Sequence, residues 1–321
     1  MTTVSLKKGD ATHATLKKDG TQWSVGERDW PADVTKVRKL LLDLGSLNIV
    51  EEKTRLPANY PQLGVEDVSS AKAAGTLVDV VTPARTWALI IGKSSGAKSG
   101  YVRVAGTPQS LLAAPLLSVE ADPKMWLETD LIDLPAARVR EVEEHPSQGS
   151  PFTASREKKE QTNFTVSPLP KGRKLTGPGA ADSMGSALSA LTLEDVRKAD
   201  PATNAQASHA VFRTFDGLEV DLAGRKDGTH PLIAISVRST EAPTAAEAQK
   251  LDARFKGWEF EVPDYKYAAI FMPLDELLQK PPEPATKTAS SKGPAGKKGS
   301  AKAAAKSPAA ELPANSGAGA K

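Results

Sequence analysis

Apolar residues recur at two periods along this chain, and the switch between the periods predicts most of its elements. At Val34, Val37, Leu41 and Leu44 the spacing is three or four, which places all four on one helical face, while Lys36, Arg38, Lys39 and Asp43 fall mostly off it. A helix is therefore predicted over residues 32–44, with one side that needs a sheet to cover. Pro31 suits its entrance because it lacks an amide hydrogen, Asp33 puts negative charge in the first turn, and Gly45 can close it in the left-handed conformation. Ahead of the helix the period drops to two. Residues 3–7, 12–17 and 21–25 read as short strands, divided by Lys8-Gly9-Asp10 and Lys18-Asp19-Gly20 turns.

Beyond the helix, residues 47–54 form a short strand or extended link, and strands are predicted over 76–82, 86–91, 101–105 and 110–113. Trp87, Leu89 and Ile91 share one face. Links this short imply antiparallel pairing. Residues 123–134 carry Met125, Trp126, Leu127, Leu131 and Ile132 and read as a short helix or turn bridging two halves. Strands over 139–144 and 152–156 follow.

From there the plan restarts, weak in identity but consistent in order. Ala14-Thr15-Leu16-Lys17-Lys18-Asp19, leading to Trp23-Ser24-Val25, is echoed by Ala154-Ser155-Arg156-Glu157-Lys158-Lys159, leading to Phe164-Thr165-Val166. A second helix is predicted over 182–198, with Met184, Leu188, Leu191 and Val196 as its stripe and Asp182 or Ser183 as its cap. Residues 92–104 have a counterpart in 224–237, each with a turn glycine, Gly96 and Gly228. Leu218, Val220 and Leu222 alternate with Glu219 and Asp221, which marks a strand with one wet face, and Ile233, Ile235 and Val237 repeat the pattern. A helix over 245–255, a strand over 258–262 and a last helical turn over 274–278 complete the reading. The expected fold class is α+β: two related halves, residues 1–135 and 136–279, each an antiparallel sheet with a packed helix, followed by a disordered tail over 280–321.

Composition changes this picture mainly at the C-terminus. The chain of 321 residues has a net charge of +3, but residues 280–321 hold eight lysines and two acids, leaving 34 basic and 37 acidic residues in the remainder. The body is mildly acidic and gives no reason to expect a nucleic-acid surface. Lysine, alanine, proline, serine and glycine in the tail bury too little surface to offset ordering entropy. With no arginine, the tail suits weak contact with anionic polymer or lipid rather than base recognition. Cysteine is absent, which excludes disulfides, thiolate metal sites and cysteine nucleophiles. No run approaches 18 apolar residues, and the first residues carry no apolar signal core, so the chain as written reads as soluble.

Candidate chemistry is thin. Gly92-Lys93-Ser94 follows a strand, but Trp87 stands where a phosphate loop has its first glycine and a strand follows instead of a helix. His13, His145, His209 and His230 are scattered, and in Glu143-Glu144-His145 neighbouring side chains of a strand point to opposite faces. No serine sits in a Gly-x-Ser-x-Gly motif; Ser186 follows Gly185 inside the predicted helix. Trp23, Trp30, Trp87, Trp126 and Trp258 suit core packing at strand-helix junctions better than a glycan or peptide groove. Catalytic, cofactor-binding and metal-ligating residues are therefore all expected to be none.

Several stretches nevertheless carry a likeness. Trp23, Trp30-Pro31-Ala32-Asp33, Tyr60-Pro61-Gln62-Leu63-Gly64-Val65, Ile91-Gly92, Gly100-Tyr101-Val102-Arg103, Trp126-Leu127, Thr214-Phe215-Asp216-Gly217-Leu218 and Gly257-Trp258-Glu259-Phe260 occur in this order. The chain thereby resembles the domain-of-unknown-function family DUF4340 over residues 3–279. The resemblance implies a bacterial extracytoplasmic protein, commonly with one N-terminal membrane helix, encoded beside gliding-motility-type ABC export components, and without established catalytic residues. The expected function is a noncatalytic module of an envelope ABC-type export assembly that contacts transporter subunits. The alternative is an envelope glycan- or peptide-binding module. This chain departs from the pattern in lacking the anchor, so it is expected to be periplasmic or membrane-associated if an anchor lies upstream, and soluble otherwise.

Overall fold

In the computed structural model, which describes residues 2–9, 12–69, 72–200 and 207–280, the period-two segments join two large antiparallel sheets. The first contains β1 (Thr2–Lys8), β2 (Thr12–Asp19), β3 (Gln22–Val25), β4 (Trp30–Pro31), β5 (Asn48–Glu52), β6 (Thr76–Val81), β7 (Thr86–Ser95), β8 (Ser99–Val104) and β9 (Ser110–Ala114). Their order across the sheet is β4-β3-β2-β1-β6-β7-β8-β9-β5. Register aligns the apolar positions: Leu6 faces Ala14 on one side and Val78 on the other, and Val78 in turn faces Leu89. These residues share the face on which helix α1 (Val34–Gly45) lies.

Helix α1 begins where its cap dictates. Asp33 is the N-cap itself, its carboxylate accepting from the Thr35 amide at 2.9 Å and the Lys36 amide at 3.1 Å. The first helical residue is thus Val34, two later than expected. Val37 and Leu40 are buried and Leu41 and Leu44 half-buried, whereas Val34 is exposed, so the stripe is rotated from its expected position. Gly45 stays within the helix and Ser46 caps it at φ −96°, so no left-handed glycine is needed. The opposite face of the sheet is covered by residues 57–65, which include the short helix α2 (Tyr60–Leu63); the Tyr60 hydroxyl donates to the Pro108 carbonyl at 2.6 Å, and Tyr60 and Val65 pack with Ile90.

Residues 127–132 lead to the second sheet. It holds β11 (Val139–His145), β12 (Phe152–Ser155), β13 (Thr165–Ser167), β15 (Asp195–Lys198), β16 (Ser208–Thr214), β17 (Leu218–Asp227), β18 (His230–Ser239) and β19 (Trp258–Glu261), in the order β13-β12-β11-β16-β17-β18-β19-β15. A third, two-stranded sheet joins β10 (Asp130–Ile132) to β14 (Leu191–Thr192). The predicted helix over 182–198 is corrected here. Only α3 (Asp182–Gly185) is α-helical; tight turns follow, and then β14 and β15. Met184, Leu188, Leu191 and Val196 are all buried as that stripe required, but Leu191 is buried in β14 and Val196 in β15, opposite Phe260. Long-range strand pairing satisfies these positions and overrides the local period.

Helix α4 (Ala245–Phe255) lies along β18 and buries Ala248 and Phe255, matching its predicted bounds. Two short helices follow β19: α5 (Asp264–Ile270), which the sequence reading did not anticipate, and α6 (Leu274–Leu277). Phe271, just past α5, lies directly over Gly224 of β17, where an added Cβ would sit 2.2 Å from the ring Cζ, so this position must be glycine. The chain to Lys280 is one compact unit. The expectation for the tail falls on 281–321, outside the described residues.

The sheets meet through aromatic and ionic contacts. Trp30 of β4 is buried with its ring edge-on to Trp258 at 5.3 Å and Phe260 at 5.2 Å, and its Nε1 donates to the Glu128 carbonyl at 3.0 Å. Beside it, Arg28 forks onto Asp195 at 2.6 and 3.1 Å, Lys124 reaches Asp195 at 3.2 Å and Glu261 at 3.6 Å, and Lys198 pairs with Asp29 at 3.1 Å. Burial alone would raise the Asp195 pKa, but the Arg28 hydrogen bond, the Val196 amide and Lys124 together hold it below the ordinary carboxylate value.

Candidate functional site

Trp87, Leu89 and Ile91 alternate with Ala88 and Ile90 on β7, so the first three face the α1 side of the first sheet. Cross-strand register puts Val80 opposite Trp87, Val78 opposite Leu89 and Leu89 opposite Val104. This apolar surface extends past the reach of α1, whose Leu41 and Leu44 form one wall of a groove. Val78, Val80, Trp87, Ala88, Leu89, Val104 and Ala105 form its floor and far wall, and Thr2, Thr82 and Thr86 line it further. Its volume is about 830 Å³. Trp87 is 47% exposed and Val104 45% exposed, a costly arrangement in water. The Arg85 guanidinium sits 4.8 Å from the centre of the Trp87 ring.

Helix α4 packs beside β18 in the second sheet, with Phe255 edge-on to Phe260 at 5.7 Å. In the first sheet the chain passes from β8 to β9 through residues 105–109 without a helix, and the groove opens beside β8. Of the five tryptophans, Trp23, Trp30 and Trp126 are buried and Trp258 is half-buried, so only Trp87 is exposed. Core packing accounts for the other four.

The remaining sequence candidates find structural roles. Lys93 donates to the Pro61 carbonyl at 3.1 Å and the Gln62 carbonyl at 3.2 Å, tying residues 60–64 to β7. Gly92 admits those residues, since a Cβ there would lie 2.4 Å from the Leu63 oxygen. Each histidine lies beside a carboxylate: His13 and Glu27 at 3.5 Å, His145 and Glu143 at 2.8 Å, His209 and Asp221 at 3.5 Å, and His230 and Glu261 at 2.6 Å. Register also brings His145 opposite His209, a proximity that linear spacing cannot reveal. Among the described residues no group of three or more His, Cys, Asp or Glu is arranged to hold a metal ion.

Three carboxylates in the second sheet are buried without a signal in their sequence, among them Glu219, expected on the wet face of β17 but covered by Arg213 and Arg238, which both donate to it. Glu259 is buried beneath Arg225, at 2.8 and 3.1 Å, and Arg197, at 3.1 Å, next to a polar cavity of about 240 Å³ that also includes Lys124, Asp195, His230 and Glu261. All these charges have partners, and the cluster holds β15 against β19 and the first sheet. Glu144 is different. It is 1% exposed on β11, opposite Phe152 and Ala210, and its Oε1 has no hydrogen-bond partner among the described residues. Burial pushes its carboxyl up to about 9, so it is neutral at pH 7. Its neighbours Glu143 and His145 share the opposite, wet face, where Arg213 contacts Glu141 at 2.5 Å and Glu143 at 2.6 Å.

With the groove and these clusters in place, the sequence model of the family described as "Domain of unknown function (DUF4340)" matches residues 23–209. The chain belongs to this family. The matched stretch is shorter than the 3–279 expected from the resemblance; it opens in β3 and closes in β16, within both sheets of this DUF4340 protein. Comparison with curated proteins and with solved structures gives no match. No helix among the described residues is long and apolar enough to cross a membrane.

Proposed function

We propose that this DUF4340 protein is a noncatalytic docking module of an extracytoplasmic ABC-type export assembly, and that the Trp87 groove receives an amphipathic helix of a transporter subunit. The observation that carries the reading is the groove itself: an exposed tryptophan, two exposed or half-exposed aliphatic rows and a helix wall form a concave apolar surface that water disfavours. Helix α4 against β18 supplies the pattern for the occupant, with apolar residues at Ala248, Leu251 and Phe255 turned toward a sheet. The lining favours a peptide over a sugar, because few polar groups are present to orient hydroxyls. The basic tail would add weak attraction to anionic lipid or wall polymer.

As part of the same proposal, the two large sheets are diverged copies of one unit. The strand orders support it: leaving out β4, the order β3-β2-β1-β6-β7-β8-β9-β5 corresponds term by term to β13-β12-β11-β16-β17-β18-β19-β15. Further support comes from two isolated bridges. Ala32 pairs with Leu127, with the Asp33 amide donating to Trp126 and the Glu128 amide donating to Pro31, at 2.8 and 2.9 Å. Leu175 pairs with Leu278, with the Thr176 amide donating to Leu277 and the Gln279 amide donating to Lys174, at 2.9 and 2.8 Å. The donor and acceptor offsets are the same in both.

Capture of transporter subunits from detergent-solubilised envelopes by the full-length protein tests the docking role. Trp87→Asp should lower their recovery about tenfold, while Leu42→Asp, on the exposed side of α1 away from the groove, should leave it unchanged. Undiminished recovery by a folded Trp87→Asp protein would remove the groove from the function. Quenching of tryptophan fluorescence by wall fragments, absent in Trp87→Phe, would favour the glycan reading instead.

A further inference from the structure

The joint between the two sheets has a direction. It is made by the β3 end of the first sheet, through Arg28, Asp29 and Trp30, and the β15 edge of the second, through Asp195, Lys198, Trp258 and Phe260. If the sheets are copies, as proposed above, each copy has one end of each kind, and the joint uses only one of each. The β13 end of the second copy and the β5 edge of the first are left over.

Both leftover ends are open. All five residues of β5 are exposed, Ile49 at 67% and Val50 at 59%, and among the described residues β5 pairs only with β9. An apolar edge strand left unpaired invites addition of another chain. At the other end β13 pairs, among the described residues, only with β12, Thr165 and Ser167 are exposed, and a cavity of about 490 Å³ lies beside the strand, lined by Gln161, Asn163, Phe164, Thr165, Leu175 and Pro178 among others. In the first copy, β4 pairs along β3 in this position. Lys171, Lys174 and Lys280 are exposed around the β13 end and Arg173 is half-buried there, with Asp275 3.8 Å from Arg173. The β5 edge offers Glu51 and Glu52, paired with the neighbouring surface groups Lys53, at 2.6 Å, and Arg55, at 3.9 Å.

We infer that the protein associates head to tail with a second copy of itself, the β5 edge of one chain seating against the β13 end of the next. Ile49 or Val50 enters the cavity beside Phe164 and Leu175, and Glu51 and Glu52 meet Lys171, Arg173 and Lys174. The contact repeats the polarity of the less exposed ion pairs of the internal joint, where basic Arg28 and Lys124 on the β3 side grip acidic Asp195 and Glu261 on the other, while the more exposed Asp29–Lys198 pair runs the opposite way. It lacks a counterpart of Trp30, since no aromatic residue lies between Pro168 and Leu175. The association is therefore weaker than the internal joint and sensitive to salt. Being heterologous, it leaves a free end on each chain and extends beyond a dimer as concentration rises.

Sedimentation velocity of the full-length chain over a wide concentration range tests this. The wild-type protein should sediment faster as concentration increases, less so in high salt. Glu51→Lys with Glu52→Lys, and separately Lys171→Glu with Lys174→Glu, should each weaken association about tenfold or more, since like charges then face each other. An equimolar mixture of the two variants should regain it, because each reversed edge then finds an end of opposite sign. These side chains lie at the surface, and circular dichroism checks that folding is retained. A wild-type protein that stays monomeric throughout, variants that associate as wild type does, or a mixture that stays monomeric would each overturn the inference. None of these results would disturb the two-copy reading, which stands or falls on superposing residues 2–127 and 139–278 in an experimental structure.

Discussion

Glu144 offers a direct measure of what burying one acid costs this fold. An unfolded glutamate titrates near its ordinary value of 4.5, whereas in the native sheet the carboxyl is pushed up to about 9 by burial between Phe152 and Ala210. Between those values the native state holds a proton that the unfolded chain has released. Native stability therefore falls as pH rises across that window, by about 1.4 kcal/mol per pH unit from this group. The accumulated cost is roughly 3 kcal/mol at pH 7 and roughly 6 kcal/mol by pH 9. Glu144→Gln removes the titration while keeping the shape. A buried amide without a partner carries its own penalty of about 1–3 kcal/mol, but that offset does not vary with pH. Urea unfolding of wild type and Glu144→Gln at half-unit steps from pH 5 to 9 isolates the slope, because every other ionisable group is common to both proteins. The stability difference should climb in favour of the variant by about 1.4 kcal/mol per pH unit. Parallel stability curves would refute the reasoning and mean that the native carboxyl has water or a partner that keeps its ordinary affinity for protons.

Two further outcomes test the joint between the sheets. Asp195→Asn should destabilise the protein by about 2 kcal/mol at neutral pH, the usual scale for hydrogen bonds to charged groups; because the folded pKa of Asp195 is depressed, the stabilisation is complete above the unfolded carboxylate value of 3.8 and is lost as pH falls through the folded one, so thermal melts of wild type and variant should converge in strong acid. Trp30→Ala, which empties a site that is 2% exposed and deletes the contacts to Trp258 and Phe260, should cost about 3–5 kcal/mol in chemical denaturation, and a loss below about 1 kcal/mol would mean that the sheets do not depend on this ring.

Much of the architecture was legible in the hydrophobic pattern, and the failures are instructive. The opening strands, the hairpin closed by Gly228 and helix α4 each carry their period within a few residues, because the partner they pack against lies nearby in sequence or covers one whole face. Residues 182–198 mislead because Met184, Leu188, Leu191 and Val196 are spaced like a helical stripe, yet Leu191 pairs with Ile132 and Val196 with Phe260, both more than fifty residues away. Glu144 sits among polar neighbours, and a shift in register between Val139 and Glu141 helps decide which face of β11 each residue takes. A pattern of polar letters cannot announce that one of them is buried.

The candidate groove divides along the same line. That Trp87 and Leu89 share a face follows from strand periodicity alone, and the sequence by itself also determined the predominance of antiparallel strands, the lack of thiol chemistry and the likeness to DUF4340. Whether that face would be covered was settled only in three dimensions. Helix α1 covers it in part, and the chain crosses from β8 to β9 in a few residues with no helix to complete the cover. Periodicity records which way a side chain points, because that is a property of the local backbone; exposure depends on what the rest of the chain brings to meet it.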